Sequence, residues 1–203
     1  MIDMQHGFID AQSSLCIAGA QATVPACARA LATARDRGVA VVYALRRYAS
    51  DGSDVEAPRY ATWSRDRALS DACADPRSAC VPREMEPQPG DRVLYKPRYS
   101  AFFGTGLDVT LRRLGVTTVI LAGTTTPNCI RSSCYDALSL DYNVVVLEDC
   151  TSSRTAEVQR ANLDDMACAG AQIIPSERFA AMGLAGLPDC VAYARAALGR
   201  AVH

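Results

Sequence analysis

Short apolar runs recur along the chain, and most of them are rich in β-branched residues. They are bounded by Gly, Asp or Pro, which is typical of strands buried on both faces of a parallel sheet. The pattern predicts strands over residues 1–4, 39–45, 92–95, 117–123, 143–147 and 171–174.

Segments with helical periodicity separate most of these strands. The predicted helices cover residues 20–37, 105–114, 128–140, 155–169 and 189–198. Three of them stop at Gly38, Gly115 and Gly170, directly before the next strand, as expected where a helix ends in a left-handed residue. The alternation predicts an α/β fold, a three-layer α-β-α sandwich whose doubly wound, Rossmann-like parallel sheet has about six strands.

Residues 46–90 depart from this alternation. The segment is rich in Arg, Asp, Ser and Pro and contains Trp63, the only tryptophan. A long irregular insertion in a compact domain usually serves as a lid, a substrate loop or a subunit contact. We therefore expect a single domain over residues 1–203 with such an insertion at about 46–90.

Composition excludes several functional classes. The 203 residues include 21 basic and 22 acidic side chains, without a basic stripe or polybasic run, so neither nucleic acid nor a membrane surface is an expected partner. The N-terminus lacks a secretory pattern, and no window reaches the roughly 18 apolar residues of a membrane helix. A cytoplasmic protein with a small-molecule ligand is expected.

The nine cysteines do not predict a disulfide framework or a zinc site. Their number is odd and the chain is not short, so reduced thiols are expected. No CxxC pair occurs, and His6 and His203 are the only histidines, so the usual ligand spacing is missing. We expect no metal and no cofactor.

One cysteine has a distinctive setting, in GTTTPNCIRSSCYDAL at residues 123–138. Thr126 is a reasonable N-cap and Pro127 suits a first helical turn, which places Cys129 at the start of a helix beyond the carboxyl end of a strand. The positive end of the helix dipole favours a thiolate, so a low pKa is expected there. The alternative is a thiol that only packs the helix on the sheet, the role expected of Cys134.

Two charged residues follow other strands at the same edge. Asp3 ends the first strand and Lys96 follows the third. A nucleophilic cysteine needs a proton acceptor, and His6 could serve only if its loop folded back. The economical hypothesis has Asp3 accept the proton of Cys129 while Lys96 stabilises the thiolate.

Three motifs together resemble the isochorismatase-like cysteine hydrolases: MIDMQHGFID, YKPRYSAFFGTGLDVTLRRLGV at 95–116, and VILAGTTTPNCIRSSCYDALSLDYNVVVLEDCTSS at 119–153. The resemblance implies a catalytic triad of Asp3, Lys96 and Cys129. It also implies a cis peptide at Thr124-Thr125, an oxyanion hole formed by the backbone amides of Thr125 and Cys129, and a homodimer or homotetramer. Since members usually have several apolar residues before this Asp, we expect either a late annotated start or a truncated first strand.

The resemblance implies a metal-independent hydrolase that cleaves a C–N bond of a small amide, ureido or carbamoyl substrate through a thioester. Nicotinamidases of this family hold a metal with histidines near the second strand, and the stretch ALRRYASDGSDVE has none. Two alternatives stay open. One is hydrolysis of the vinyl ether of isochorismate, and the other is a non-catalytic thiol sensor or binding protein.

Five further side chains are candidates for the substrate pocket. Arg46 could bind a carboxylate in a bidentate contact, although it could instead be solvated or bridge subunits. Tyr99 and Phe102 follow Lys96 and could line an apolar wall or belong to the core. Phe8 in the first motif and Trp63 in the insertion complete the set, with Trp63 closing the pocket of its own or a neighbouring subunit.

Overall fold

The computed structural model describes residues 1–187 and 189–200. Its named strands are all paired in parallel, β1 with β2 in one group and β3, β4 and β5 in the other. Their bounds are β1 (Val42–Leu45), β2 (Arg92–Tyr95), β3 (Thr118–Thr124), β4 (Asn143–Ser152) and β5 (Gln172–Ile174).

The predicted first strand is reduced to one bridging residue. Ile2 pairs in parallel with Ala44 of β1 and Gly123 of β3 and so joins the two groups of strands. Its N–H donates to Ala122 at 2.8 Å, and its carbonyl accepts from Thr124 at 3.0 Å. The prediction of a strand over residues 1–4 is therefore wrong in extent, because Asp3 has a positive φ of 50° and leaves the extended conformation.

Another strand boundary differs from the prediction because polar residues continue the hydrogen-bonded pairing of the strand. Strand β4 extends to Ser152, five residues beyond the predicted end at 147. A register shift after Leu121 allows Gly123 to pair with Thr151. Because Asp149 also accepts bonds from the amide and hydroxyl of Ser176, its charge is compatible with a position inside the strand.

The predicted helices are present, with ends moved by one or two residues except at 128–140. There, a π turn over Thr126–Ile130 precedes the regular helix. The helices are α1 (His6–Ile9), α2 (Ala20–Asp36), α3 (Tyr60–Trp63), α4 (Leu107–Arg113), α5 (Arg131–Ser139), α6 (Ala156–Cys168), α7 (Ser176–Met182) and α8 (Cys190–Arg200). The sequence pattern missed α1, α3 and α7, which are too short to show clear periodicity.

Helices cover both faces of the sheet. Cys27 of α2 and Phe179 of α7 are buried with Val145 against one face. Met166 of α6 is buried with Val146 against the other, where α4 and α5 also pack. Successive residues of β4 thus point into opposite cores, which confirms the three-layer α/β sandwich.

The segment over residues 46–90 folds at the carboxyl end of β1. It contains α3 and two short 3-10 turns, Ala57–Arg59 and Arg83–Met85. It has a hydrophobic cluster of its own, formed with the loop after Ile2 by Phe8, Leu15, Tyr48, Val55, Trp63, Ala68 and Leu69. In the described part of the chain, no helix has the length and apolar character needed to span a membrane.

Candidate active site

Three strand ends bring Asp3, Lys96 and Cys129 together. The N–H of Asp3 donates to Ala44 at 3.0 Å, and that of Lys96 donates to Leu45 at 2.8 Å, so both backbones are fixed to β1. Cys129 lies in the π turn that follows β3. The three side chains therefore meet at the carboxyl edge of the parallel sheet, where open α/β sheets bind ligands.

The lysine ammonium group connects the other two side chains. Lys96 Nζ lies 2.7 Å from Asp3 Oδ2 and 3.5 Å from Cys129 Sγ. Its third contact is a 3.0 Å bond to the carbonyl of Arg98. All three side chains are buried, and Oδ1 of Asp3 has no hydrogen-bond partner among the described residues. The Asp3 carboxylate thus acts on the Cys129 thiol and has a buried oxygen that is free to accept a hydrogen bond.

The thiol is not the low-pKa group that the helix-dipole argument predicted. Burial, together with the negative charge of Asp3, raises the pKa of Cys129 to about 11, against the opposing effects of Lys96 and Arg46. The prediction was wrong because removal from water and an adjacent carboxylate outweigh a helix start. The resting site therefore holds a neutral thiol between a carboxylate and an ammonium group.

The loop before Cys129 has an unusual backbone. The peptide bond between Thr124 and Thr125 is cis, at the position that the family resemblance implies. Thr125, with extended dihedral angles, is the residue that caps the following turn, so the prediction of Thr126 as N-cap was one residue late. The reason is that the chain enters a π turn and not a regular helix.

Hydroxyl groups anchor this loop to the end of β4. The Thr125 and Thr126 hydroxyls bond to the Ser152 carbonyl at 3.0 and 2.9 Å. Thr126 Oγ1 also lies 2.7 Å from Gln159 Oε1, and the Gln159 amide donates to Thr151 Oγ1 at 2.9 Å. The run of threonines in GTTTP thus supplies side-chain bonds that fix the backbone next to Cys129.

Arg46 lies beside the triad, where its guanidinium group is fully buried. Nη1 pairs with Glu56 and contacts the Tyr48 hydroxyl at 3.0 Å, while Nη2 donates to the Arg98 carbonyl at 2.7 Å. Burial disfavours its charge, yet neighbouring groups, of which Asp3 has the largest effect, raise the pKa of Arg46. With these partners, Arg46 adds a fixed positive charge near the thiol; its predicted contact with substrate stays a prediction.

Gln5 and Glu56 are site residues that sequence reasoning missed. The Gln5 amide donates to the carbonyls of Arg46 at 2.8 Å and Ala79 at 2.9 Å, and its Oε1 accepts from the Arg46 N–H at 2.8 Å. It thereby ties the loop after Ile2 to the insertion. A glutamine two residues after Asp3 was a possible signal, whereas nothing in the sequence distinguished Glu56 from the other acidic residues of the insertion.

The remaining candidates are less directly placed. Phe8 and Trp63 are buried in the hydrophobic cluster of the insertion, and the Trp63 indole donates to the Ala68 carbonyl at 2.8 Å. Tyr99 is partly buried and lies beneath the Arg46 guanidinium. Phe102 packs against the second core, with its ring 6.0 Å from that of Tyr142. Their predicted contacts with substrate stay predictions.

The other residues considered as acid-base groups or metal ligands take different positions. His6 Nδ1 lies 3.1 Å from the carboxylate of Asp10, the C-cap of α1, and His203 lies outside the described residues. Burial raises the pKa of Cys134 to about 12, which fits its expected packing role. No group of three or more His, Cys, Asp or Glu suited to a metal ion occurs within residues 1–187 and 189–200.

Comparison with known proteins places this fold and site in one family. The isochorismatase domain model matches residues 1–178, so the chain belongs to the isochorismatase family. The crystal structure of an isochorismatase family protein from Desulfovibrio vulgaris superimposes with a TM-score of 0.81 at 39% identity, over 88% of this chain and 93% of that one.

Two curated relatives have contrasting descriptions. A protein of Arabidopsis thaliana described as a probable inactive nicotinamidase is 36% identical over 82% of this chain and 85% of its own length. The ureidoacrylate amidohydrolase RutB of Variovorax paradoxus is also 36% identical, over 80% of this chain and 71% of its own length. Relatives of this chain thus include amidohydrolases, which act on C–N bonds, and a protein described as inactive.

Proposed function

We propose that this protein is a metal-independent cysteine hydrolase that cleaves a C–N bond of a small amide, ureido or carbamoyl compound. The observation that supports the proposal most strongly is the contact of one buried ammonium group with both a carboxylate and a thiol, at 2.7 and 3.5 Å. This arrangement contains a nucleophile, a proton acceptor and a positive charge in one dry site. The similarity to an amidohydrolase supports this reaction class.

In the first step, Asp3 accepts the thiol proton as Cys129 Sγ attacks the carbonyl carbon. A neutral thiol with a raised pKa requires such a base, and Oδ1 of Asp3 is free to accept. Lys96 stabilises the thiolate as it forms and remains paired with Asp3. The negative charge thus moves from the carboxylate to sulfur and then to the substrate oxygen.

The backbone amides of Thr125 and Cys129 are proposed to stabilise that oxygen. An oxyanion hole contributes most when its donors are held in place before the reaction, and removal of one donor typically costs about 3 kcal/mol. The Ser152 carbonyl binds the hydroxyls on both sides of the peptide that joins Thr125 to Thr126. Such anchoring supports an oxyanion hole at this turn.

Collapse of the tetrahedral intermediate breaks the C–N bond. Asp3 returns its proton to the departing nitrogen, which leaves as ammonia or an amine, and the acyl group remains on Cys129 as a thioester. Water, deprotonated by Asp3, then attacks the thioester carbonyl. The acid leaves, and Sγ regains a proton from Asp3, so that the resting state is restored.

The proposal is tested by product analysis with purified protein. The panel contains ureido acids, carbamoyl amino acids, maleamate, biuret and nicotinamide for ammonia release, and isochorismate for pyruvate release, with Cys129→Ala protein as the blank. We expect cysteine-dependent ammonia release from at least one amide or ureido compound. Pyruvate from isochorismate without ammonia from any amide would instead support vinyl-ether hydrolysis.

The sensor alternative is separated by a second readout on the same protein. Reversible oxidation of Cys129 under mild peroxide, detected by mass spectrometry, would support a sensor if no compound of the panel were hydrolysed. Turnover that depends on Cys129 would contradict a purely sensory role.

A further inference from the structure

The insertion places a second arginine near the triad, and its charge is not neutralised by a carboxylate. Arg59, at the end of the 3-10 turn Ala57–Arg59, is partly buried, and its guanidinium carbon lies 5.5 Å from the centre of the Tyr99 ring. It forms no ion pair in the part of the chain that the structure describes. A partly buried cation of this kind can accept an anionic ligand at little further desolvation cost.

Two neighbouring interactions explain why Arg59 remains available. Glu56 is an acidic residue whose charge acts on Arg59, but its Oε1 pairs with Arg46 and its Oε2 accepts from the Tyr48 hydroxyl at 2.7 Å. Although burial opposes it, the charge of Arg46 lowers the pKa of Glu56, so this carboxylate is ionised and already paired. Glu56 therefore forms its ion pair with Arg46, and it acts on Arg59 only through a longer-range attraction.

Arg59 is linked to the reaction centre indirectly, through Tyr99 and Arg46. The Arg98 carbonyl accepts one bond from Lys96 Nζ and another from Arg46 Nη2, which places the two cations side by side. The adjacent residue, Tyr99, has Arg46 and Arg59 over its ring, at 5.9 and 5.5 Å. The order from the thiol outward is thus Lys96, Arg46 and Arg59.

The cluster of Asp3, Lys96, Arg46, Glu56 and Arg59 has a net positive charge. Asp3 pairs with Lys96, and Glu56 pairs with Arg46, while Arg59 has no ion-pair partner among the residues that the structure describes. A partly buried cluster with a net positive charge attracts anions and disfavours cations. Since guanidinium groups bind carboxylates in a planar, two-point contact, Arg59 provides specific geometry as well as charge.

From this arrangement, and resting on the function proposed above, we infer that Arg59 and Tyr99 bind a carboxylate at the end of the substrate opposite the scissile C–N bond. The substrate class is accordingly a small amide or ureido acid, and not a neutral amide. Arg46 lies between this subsite and the triad, and its own partners keep it from competing for the anion.

Matched pairs of acid and neutral amide test this inference. The pairs are maleamate with maleamide, N-carbamoylglycine with N-carbamoylglycinamide, and ureidoacrylate with its amide. Binding is measured by calorimetry in Cys129→Ala protein, which retains the subsite without turnover. We expect at least one acid to bind at least about tenfold more tightly than its neutral partner, the usual worth of a charge-assisted contact.

The substitution Arg59→Gln should abolish that preference, and Arg59→Lys should restore part of it. Arg65→Gln is the matched control, because Arg65 is an exposed arginine of the same insertion and its loss changes the net charge equally. We expect this control to retain the preference. An unchanged preference in Arg59→Gln, or no preference for any acid in the parent protein, would overturn the inference.

Turnover by protein with an intact Cys129 separates this inference from the proposed reaction. Equal release of ammonia from acids and their neutral partners would support the proposed hydrolase but contradict the carboxylate subsite. Binding of acids through Arg59 without ammonia release would support the carboxylate subsite but contradict the proposed hydrolysis.

Discussion

At the scale of single residues, the reactivity of the site depends on whether Cys129 or Asp3 carries one proton. Cys129 is fully buried beside Asp3 and Lys96, and the pKa of its thiol is raised to about 11 by burial and by the carboxylate. In the proposed mechanism, the reactive thiolate therefore forms only when Asp3 accepts its proton. The same carboxylate that suppresses the thiolate at rest is the base that the proposed reaction requires.

Replacement of the carboxylate tests this dual role. In Asp3→Asn protein the negative charge that raises the thiol pKa is gone while Lys96 remains, so the pKa of Cys129 should fall by about one unit or more. Alkylation of Cys129 by iodoacetamide, followed by peptide mass spectrometry across pH, gives the midpoint. Amide hydrolysis should be lost in the same variant. A midpoint that is unchanged or shifted to higher pH would contradict this assignment.

The sequence indicated these residues but not their protonation. Asp3, Lys96 and Cys129 follow apolar strands, and strand order in a parallel sheet brings such residues to one edge. The pKa of Cys129 depends on burial by elements distant in sequence, which no local pattern contains. Glu56 could not be predicted as a site residue either, because its importance comes only from its pairing with Arg46.

At the scale of elements, the approach of Ile2 to β3 positions Asp3. Gly123 has a φ of 124°, and a Cβ at this position would lie 2.0 Å from the Ile2 carbonyl oxygen. Glycine is thus required for the two backbones to make their parallel bridge. Any side chain there displaces Ile2 and, with it, the carboxylate of the next residue.

We expect Gly123→Ala to destabilise the protein by about 2–5 kcal/mol and to abolish hydrolysis, since it combines an unfavourable backbone conformation with a severe overlap. Gly115→Ala is the control. Its φ of 67° is also positive, but a Cβ there meets nothing within 4 Å. It should cost only about 1–2 kcal/mol and leave activity intact. Urea unfolding and ammonia release measure both, and equal losses in the two variants would argue against the close approach.

A buried ion pair joins Arg46, the first residue of the insertion, to Glu56. Glu56→Gln leaves Arg46 buried without its counter-charge, so we expect a loss of about 3–5 kcal/mol in the free energy of unfolding. The exposed pair of Arg47 with Asp71 offers the comparison, and Asp71→Asn should cost less than about 1 kcal/mol. Denaturant titration of both variants is the measurement, and similar small losses would show that the buried pair contributes little.

Element boundaries were predicted least well where tertiary contacts override local pattern. The extension of β4 to Ser152 depends on pairing with Gly123 after a register shift, and the polar residues Glu148 and Asp149 suggested an earlier end. The π turn before α5 likewise depends on the bonds of its threonines to β4. By contrast, the glycines after α2, α4 and α6 marked those helix ends closely.

At the scale of the whole molecule, the alternation of apolar runs and helical segments was sufficient to predict the three-layer sandwich. Such a pattern constrains the fold because both faces of the sheet must be covered by helices. The substrate could not be predicted in the same way, since Arg59 approaches the site only through the fold of the insertion.

The proposed mechanism uses no metal, and this can be tested on the whole molecule. The chain has two histidines, and the described residues contain no group of three side chains suited to a metal ion. Prolonged dialysis against EDTA should therefore leave the rate of ammonia release unchanged. A loss of activity that added Zn²⁺, Mn²⁺ or Fe²⁺ restores would contradict the proposed mechanism.

The most direct test of the proposal that Cys129 is the nucleophile compares two buried cysteines of the same polypeptide. Cys129 and Cys134 are both buried, but only Cys129 contacts Lys96. The steady-state rate on the best substrate is measured for Cys129→Ala and Cys134→Ala, with circular dichroism to verify folding. We expect the rate to fall at least about a thousandfold in Cys129→Ala and to stay near wild type in folded Cys134→Ala. A wild-type rate in Cys129→Ala would contradict the proposal.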